Sequence, residues 1–257
     1  MVSLVEALFL GIVQGITEWL PISSSAHLAL AEYFLSIKAD VYFDLVLHLG
    51  TIVAVLVYYR KEIIELIAGV LKMDKVQLQL AFYLFIAAIP TAIIGFAFKD
   101  FFESMFSNPG AIAVALLITG AFLIIASKAR ERAGNDAKKS FAIGIAQGIA
   151  VAPGISRSGA TIGTALLLGM KKEEAAKFSF LAGVVPILGA SLLEGSKALS
   201  TSPELAPLLV GFIASAIIGY LSIGILLKIL KESKLQYFGY YCIMLALIVG
   251  TLVLRGA

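Results

Sequence analysis

The chain has 257 residues, 60% of them hydrophobic and only 14% charged, with a formal net charge of +3. Soluble domains average roughly 45–50% apolar and about 25% charged residues, so a soluble fold is excluded. The alternating pattern of a membrane barrel is absent, and the positive charges sit in short loops, which argues against a nucleic-acid partner.

Helical segments are expected at about 2–18, 41–60, 77–98, 109–128, 139–152, 172–197, 204–230 and 235–254. The charge-free runs 80–98, 110–127, 205–227 and 235–254 each approach the roughly 20 residues needed to cross the hydrocarbon. The chain therefore reads as an all-α integral membrane protein, a polytopic helical bundle. No cleavable signal peptide is expected, because the first stretch lacks a basic start and runs on into a motif. Two segments are too short to span. The first is interrupted by Glu18 and Pro21, and the one from Ser140 stops at Pro153-Gly154. Each is followed by a short apolar stretch, 28–37 and 162–170, as expected of re-entrant hairpins that turn back near the midplane. Broken backbone at that depth survives only inside protein or beside a wet cavity.

The two hairpins align without a gap. Gly11 matches Gly144, Gln14 matches Gln147, Gly15 matches Gly148, Ile22-Ser23 matches Ile155-Ser156, and Ser25 matches Ser158. Residues 1–257 thus form one membrane domain made of two repeat halves, about 1–130 and 134–257. On this topology most Lys and Arg fall on one side, among them Arg60, Lys61, Lys72, Lys128, Arg130, Arg132, Lys138 and Lys228. Lys38, Lys99, Lys197 and Arg255 fall on the other. The basic side is expected to be cytoplasmic. The halves are then inverted, an arrangement in which two broken helices can face each other across one site.

Polar groups within such surroundings are functional candidates by default. Arg157, flanked by Ser156 and Ser158 after Pro153-Gly154, sits where a helix should begin. Free backbone N–H groups there favour an anion, and guanidinium offers a planar fork for phosphate oxygens. Thr161, four residues on, shares that face. The alternative is an Arg that balances a Glu in the bundle. Gln14 and Glu18, also four apart, suit a hard cation such as Mg2+ or Ca2+ completed by phosphate oxygens and water. Alternatively they form a polar clamp, with Glu18 neutral or paired to Arg157. Ser24 and His27 are the minimum for an activated nucleophile, although His27 can instead attack or act as an acid, and Ser23, Ser24 and Ser25 can simply cap the returning helix. Asp44 and His48 on the next span are either support for the site, a proton path or a mutually satisfied pair. The segment 82–106 and the cluster Tyr237, Tyr240 and Tyr241 read as lipid-facing or interfacial belts. Glu173-Glu174 reads as a solvated loop.

Gln14-x-x-x-Glu18, Pro21-Ile22-Ser23-Ser24-Ser25-Ala26-His27 and Pro153-Gly154-Ile155-Ser156-Arg157-Ser158-Gly159-Ala160-Thr161 resemble the signatures of the undecaprenyl-diphosphate phosphatases, the bacitracin-resistance (BacA-type) family. Length, hairpins and duplication agree over essentially the whole chain. The resemblance implies removal of the terminal phosphate of a polyprenyl diphosphate to regenerate the monophosphate carrier for envelope glycan synthesis. It also implies a divalent cation, a homodimer in the plasma (inner) membrane, and a site opening to the outer face. Glu18, Ser24, His27 and Arg157 fall on functional positions, with Gln14, Ser156 and Thr161 around them. Gln14 stands where Glu is common, and Ser25-Ala26 where Thr-Gly is common. The expected division of labour gives Arg157 and the two helix starts the diphosphate, with Ser23, Ser25, Ser156, Ser158 and Thr161 as binding groups. Glu18 with Gln14 places the cation, Ser24 attacks, and His27 serves as its base and then as the acid. The rival is a non-enzymatic lipid-phosphate flippase or anion transporter, which needs no Ser24 with His27.

Overall fold

Side-chain oxygens start many of the helices in the computed structural model, which describes residues 2–132, 134–198 and 204–256, with backbone alone over 190–198. The side chain of Lys197, assigned above to the outer side, lies outside the described residues. Ser3 and Glu6 form a reciprocal capping box at the start of α1 (Leu4–Trp19). Ser23 caps α2 (Ser24–Leu35) and Asp40 caps α3 (Val41–Tyr58). After α4 (Arg60–Leu71), Asp74 opens α5 (Lys75–Ala97). Beyond α6 (Lys99–Phe106), Asn108 with Pro109 opens α7 (Pro109–Ala126). Asp136 opens α8 (Ala137–Ile149) and Ser156 opens α9 (Arg157–Leu167). The chain continues through α10 (Lys172–Ala198), α11 (Leu205–Lys231) and α12 (Gln236–Leu254). These caps satisfy backbone donors that would otherwise be left without partners at each helix start.

No strand occurs among the described residues. Among the described residues five helices, α3, α5, α7, α11 and α12, are long and apolar enough to cross a membrane. The chain is a multi-pass membrane protein. Its outward faces are correspondingly apolar: Phe85, Phe96, Ile217 and Leu247 are all exposed.

α9 begins at Arg157, where a helix start is expected, with Ser156 as its cap, and Ser23 caps α2 from Ser24. Other segments differ from those expected. α4 lies between the helices expected at 41–60 and 77–98, and α6 lies at the end of the segment 82–106 that reads as a belt. Glu173 and Glu174 lie in the first turn of α10 rather than in a loop, where acidic side chains favour the helix dipole. Glu173 also reaches Lys231 at 3.0 Å.

α1 packs on α11, which also carries α3; α8 packs on α5; α7 packs on α12; α10 touches α3, α5 and α9. Small residues set these contacts, as membrane bundles require when no hydrophobic force draws helices together. A Cβ added at Gly11 would sit 2.6 Å from the Gly211 carbonyl oxygen, and one at Gly15 would sit 2.7 Å from Ile218 Cβ. The matching residues behave alike: a Cβ at Gly144 would collide with the Ala87 carbonyl, and one at Gly148 would lie 2.8 Å from Ile94 Cβ. Gly120 and Gly239 press on each other's carbonyls, with 2.7 Å in either direction for an added Cβ.

Candidate active site

Two helix breaks meet inside the bundle. α1 stops at Trp19 because Leu20 turns extended ahead of Pro21, and Ser23 takes φ of 70°, unusual for a residue with a side chain. α8 stops at Ile149, and Gly154 supplies φ of +96° where a Cβ would lie 2.6 Å from Ala115 Cβ. Hydrogen bonds lace the breaks together. The Gly154 N–H donates to Ser23 Oγ at 3.1 Å, and Ser158 Oγ donates to the Leu20 carbonyl at 3.0 Å. Thr119 on α7 donates to the Gly154 carbonyl at 2.8 Å and accepts from the Ser156 N–H at 3.2 Å. Irregular backbone at this position is therefore satisfied by protein, as the apolar setting demands.

Glu18 is the hub of the site and is buried to 7% exposure. Its Oε1 accepts from Arg157 Nη2 in a short charge-assisted bond. Its Oε2 accepts from Gln14 Nε2 at 3.0 Å and from Ser24 Oγ at 2.6 Å, with His48 Nε2 at 3.6 Å. The Arg157 guanidinium lies 5.0 Å from the centre of the Trp19 ring, a cation–π contact. Trp19 in turn meets Phe180 edge-on at 5.2 Å. Gly183 leaves the room that the guanidinium fills, since a Cβ there would collide with Arg157 Nη1. That Nη1 is buried and has no hydrogen-bond partner. A buried donor without a partner is costly, and an anionic oxygen beside it would remove the cost.

The expected Ser24–His27 pair is not formed. His27 Nδ1 contacts the Ser23 carbonyl at 2.7 Å, and Nε2 contacts the Tyr241 hydroxyl at 2.7 Å. A carbonyl only accepts, so Nδ1 carries the hydrogen and Nε2 accepts from Tyr241. The ring thus turns away from Ser24, whose hydroxyl goes to Glu18. Tyr241, read from sequence as part of an interfacial belt, instead stacks on His27 with centroids 5.7 Å apart. Asp44 and His48 do not pair through their side chains either: His48 Nδ1 contacts the Asp44 backbone carbonyl at 2.8 Å, while the Asp44 carboxyl meets Glu32. The reason is geometric, since one helical turn brings the ring over the backbone of Asp44 and its far nitrogen toward Glu18.

The remaining hydroxyls divide into two groups. Ser25 is half-buried, with Ser23 Oγ at 3.2 Å. Ser156 Oγ accepts from the Gly159 N–H at 3.1 Å, and Ser158 is spent on Leu20. Thr161 Oγ1 donates to the Arg157 carbonyl at 2.8 Å and lies 2.5 Å from Ser179 Oγ. These last three hold the α9 start in place. Trp19, Gly183 and Tyr241 went unrecognised in the sequence. An aromatic next to Glu18 was the only visible signal among them.

Gln14 Oε1 is fully buried and has no partner. Gln14 Oε1 and the Glu18 carboxylate, which Gln14 Nε2 reaches at 3.0 Å, are oxygen donors of the kind a hard cation takes. No group of three or more His, Cys, Asp or Glu able to hold a metal occurs among the described residues. A cation held by these few side-chain oxygens would take its remaining ligands from substrate and water.

Residues 7–248 match the family model described as bacitracin resistance protein BacA. An undecaprenyl-diphosphatase of Methanococcus vannielii is 43% identical over 248 residues, covering 95% of this chain and 98% of the relative. One of Carboxydothermus hydrogenoformans is 40% identical, covering 98% and 97%, and one of Rubrobacter xylanophilus is 37% identical, covering 99% and 100%.

Proposed function

The chain belongs to the bacitracin resistance protein BacA family, and from that membership and the geometry around Glu18 we propose how it works. It is a membrane phosphatase that hydrolyses undecaprenyl diphosphate to the monophosphate carrier. The observation that carries the site assignment is the unpartnered Nη1 of Arg157, whose Nη2 donates to the same Glu18 carboxylate that accepts from Ser24.

The terminal phosphate takes Nη1 and Nη2 of Arg157 as a two-point clamp, which draws the guanidinium off Glu18. Backbone N–H groups at the starts of α2 and α9 add donors. Glu18, released from the ion pair at Oε1, accepts the Ser24 proton on Oε2 as Ser24 Oγ bonds to the terminal phosphorus. The anhydride P–O bond breaks, and its electron pair leaves on the lipid monophosphate. Glu18 gives the Ser24 proton to the departing lipid phosphate oxygen, then takes one from the water that hydrolyses the phosphoserine and returns it to Ser24 Oγ as the P–Oγ bond breaks. Positioning and charge stabilisation supply most of the acceleration in such transfers. A divalent cation, Mg2+ or Ca2+, held through Gln14 Oε1 and the Glu18 oxygen that Arg157 vacates, would neutralise charge on the diphosphate. His27, locked to Ser23 and Tyr241, orients the turn that carries Ser24.

The halves form an inverted repeat whose two broken helices are re-entrant. The packing supports this reading: α1 lies on α11 as α8 lies on α5, through matched glycines. On that topology the basic loops are cytoplasmic, the site opens to the outer face of the plasma membrane, and the protein works as a homodimer. A tag at Lys138 should be reachable only from the cytoplasm and one appended to the C-terminus only from outside.

Purified protein in detergent should release phosphate from undecaprenyl diphosphate. Binding or uptake of the lipid with no phosphate release under any cation would instead indicate a non-enzymatic flippase or anion transporter.

A further inference from the structure

His27 turns its ring away from the Ser24–Glu18–Arg157 cluster, and the space it turns toward is a groove. The groove has a volume of about 500 Å³. Val13, Ile16 and Leu20 of α1 form one wall, and Phe238 and Tyr241 of α12 form the other. His27 and the Tyr241 hydroxyl are its polar end, Thr17 and Tyr237 add a hydroxyl each, and the other lining side chains are apolar. Leu20 is buried while Ile16 is 40% exposed, so the groove runs from the protein interior to the outward face of the bundle.

We propose that this groove between α1 and α12 binds the first isoprenoid units of the lipid substrate, with His27 and Tyr241 marking where tail gives way to headgroup. The inference rests on the phosphatase reading above. Continuity with the catalytic cluster carries it. Leu20, a wall of the groove, accepts the Ser158 bond that fixes the start of α9. Ser23, whose carbonyl holds His27, is the residue before Ser24. One helix break therefore supplies both the groove's inner end and the nucleophile. A diphosphate held by Arg157 has its lipid ester within reach of that end, and its tail needs an apolar lateral exit. Branched aliphatic and aromatic side chains match the methyl-branched, unsaturated chain of a polyprenol. Burying such a chain is favourable only where protein contacts replace lipid contacts closely, because lipid tails are themselves apolar. A shaped groove meets that condition where a flat helix face does not.

The test fills the groove without touching the catalytic cluster. Ile16→Trp, which fills the groove at its exposed end, is assayed with undecaprenyl diphosphate and with dimethylallyl diphosphate, whose single isoprenoid unit stays at the inner end beside His27 and short of Ile16. Expected is a rise of at least tenfold in KM for the long substrate, with kcat/KM for the short one unchanged. Equal effects on both substrates, or no effect on either, overturn the proposal. Independently, a benzophenone side chain at Tyr237, on the rim of the groove, should cross-link to radiolabelled undecaprenyl diphosphate and be competed by unlabelled lipid. The same group at lipid-facing Leu247 should not be competed. Equal labelling at both positions, or protomer-to-protomer cross-links from Tyr237 in place of lipid adducts, overturns the proposal even if Ile16→Trp fails to fold. A wild-type protein that releases no phosphate overturns the underlying phosphatase reading, whereas normal wild-type turnover with failed groove tests overturns the groove alone.

Discussion

Arg157 and Glu18 stand 139 residues apart in the chain and meet in a direct ion pair at the junction of two helix breaks. Desolvating two charges is expensive, and a buried pair is weak evidence for stability. An Arg kept only to balance Glu18 would have its other donors satisfied or solvated. Here Nη1 is buried without a partner, and Gly183 and Trp19 shape the space around the guanidinium. The pair is better understood as a resting state that the diphosphate opens.

Ser24 Oγ lies 2.6 Å from Glu18 Oε2, and His27 touches neither. Ser24→Ala should therefore abolish turnover while leaving substrate affinity in place. Tyr241→Phe, which removes a single hydrogen bond to His27, should cost about tenfold or less, in line with about 1 kcal/mol for one neutral bond. Steady-state kinetics and a binding assay check both. Most activity surviving in Ser24→Ala but not in His27→Ala would favour direct attack by His27 or by water.

Gly183 gives a sharper handle on geometry. Gly183→Ala places a methyl group where Arg157 Nη1 now lies. The displaced guanidinium should lower kcat by about 100-fold or more, the loss expected when one preorganised donor is misplaced. Gly189 on the same helix has nothing within 4 Å of an added Cβ, so Gly189→Ala should remain near wild-type. Equal activity of the two variants would contradict the placement of Arg157.

The two helix breaks were legible because Pro21 and Pro153-Gly154 interrupt apolar runs, and Glu18 and Arg157 stood out as charges within them. The start of α9 was legible too, since a Ser follows the Pro-Gly turn and caps it. The bond between His27 and Tyr241 was not, because it joins residues 214 apart and a Tyr in an apolar helix has the same signature as an interfacial anchor. Gly183 was not legible either: a glycine that yields space to a distant side chain leaves no periodic mark. α4 was hidden because Arg60, Lys61, Glu62 and Glu65 charge its first half and it is too short to span, so it falls outside the long apolar runs.

The cation is tested through Gln14. A chelator should abolish turnover, and added Mg2+ or Ca2+ should restore it. Gln14→Glu supplies a second carboxylate beside Glu18 and should lower the cation concentration for half-maximal rate by about fivefold or more, corresponding to about 1 kcal/mol. Full activity in chelator would remove the cation from the account.

Arg157→Lys tests the central claim most directly. Lysine keeps the charge but is a hydrated point charge on a flexible stem, unable to meet two phosphoryl oxygens at once. If Arg157 stabilises charge that develops in the transition state, the loss should fall mainly on kcat. The measurement is phosphate release from undecaprenyl diphosphate alongside thermal stability in detergent. The account predicts a fall of at least about 100-fold in kcat/KM, with a melting temperature close to that of the wild type. Near-normal turnover, or inactivity that tracks a lowered melting temperature, would contradict it.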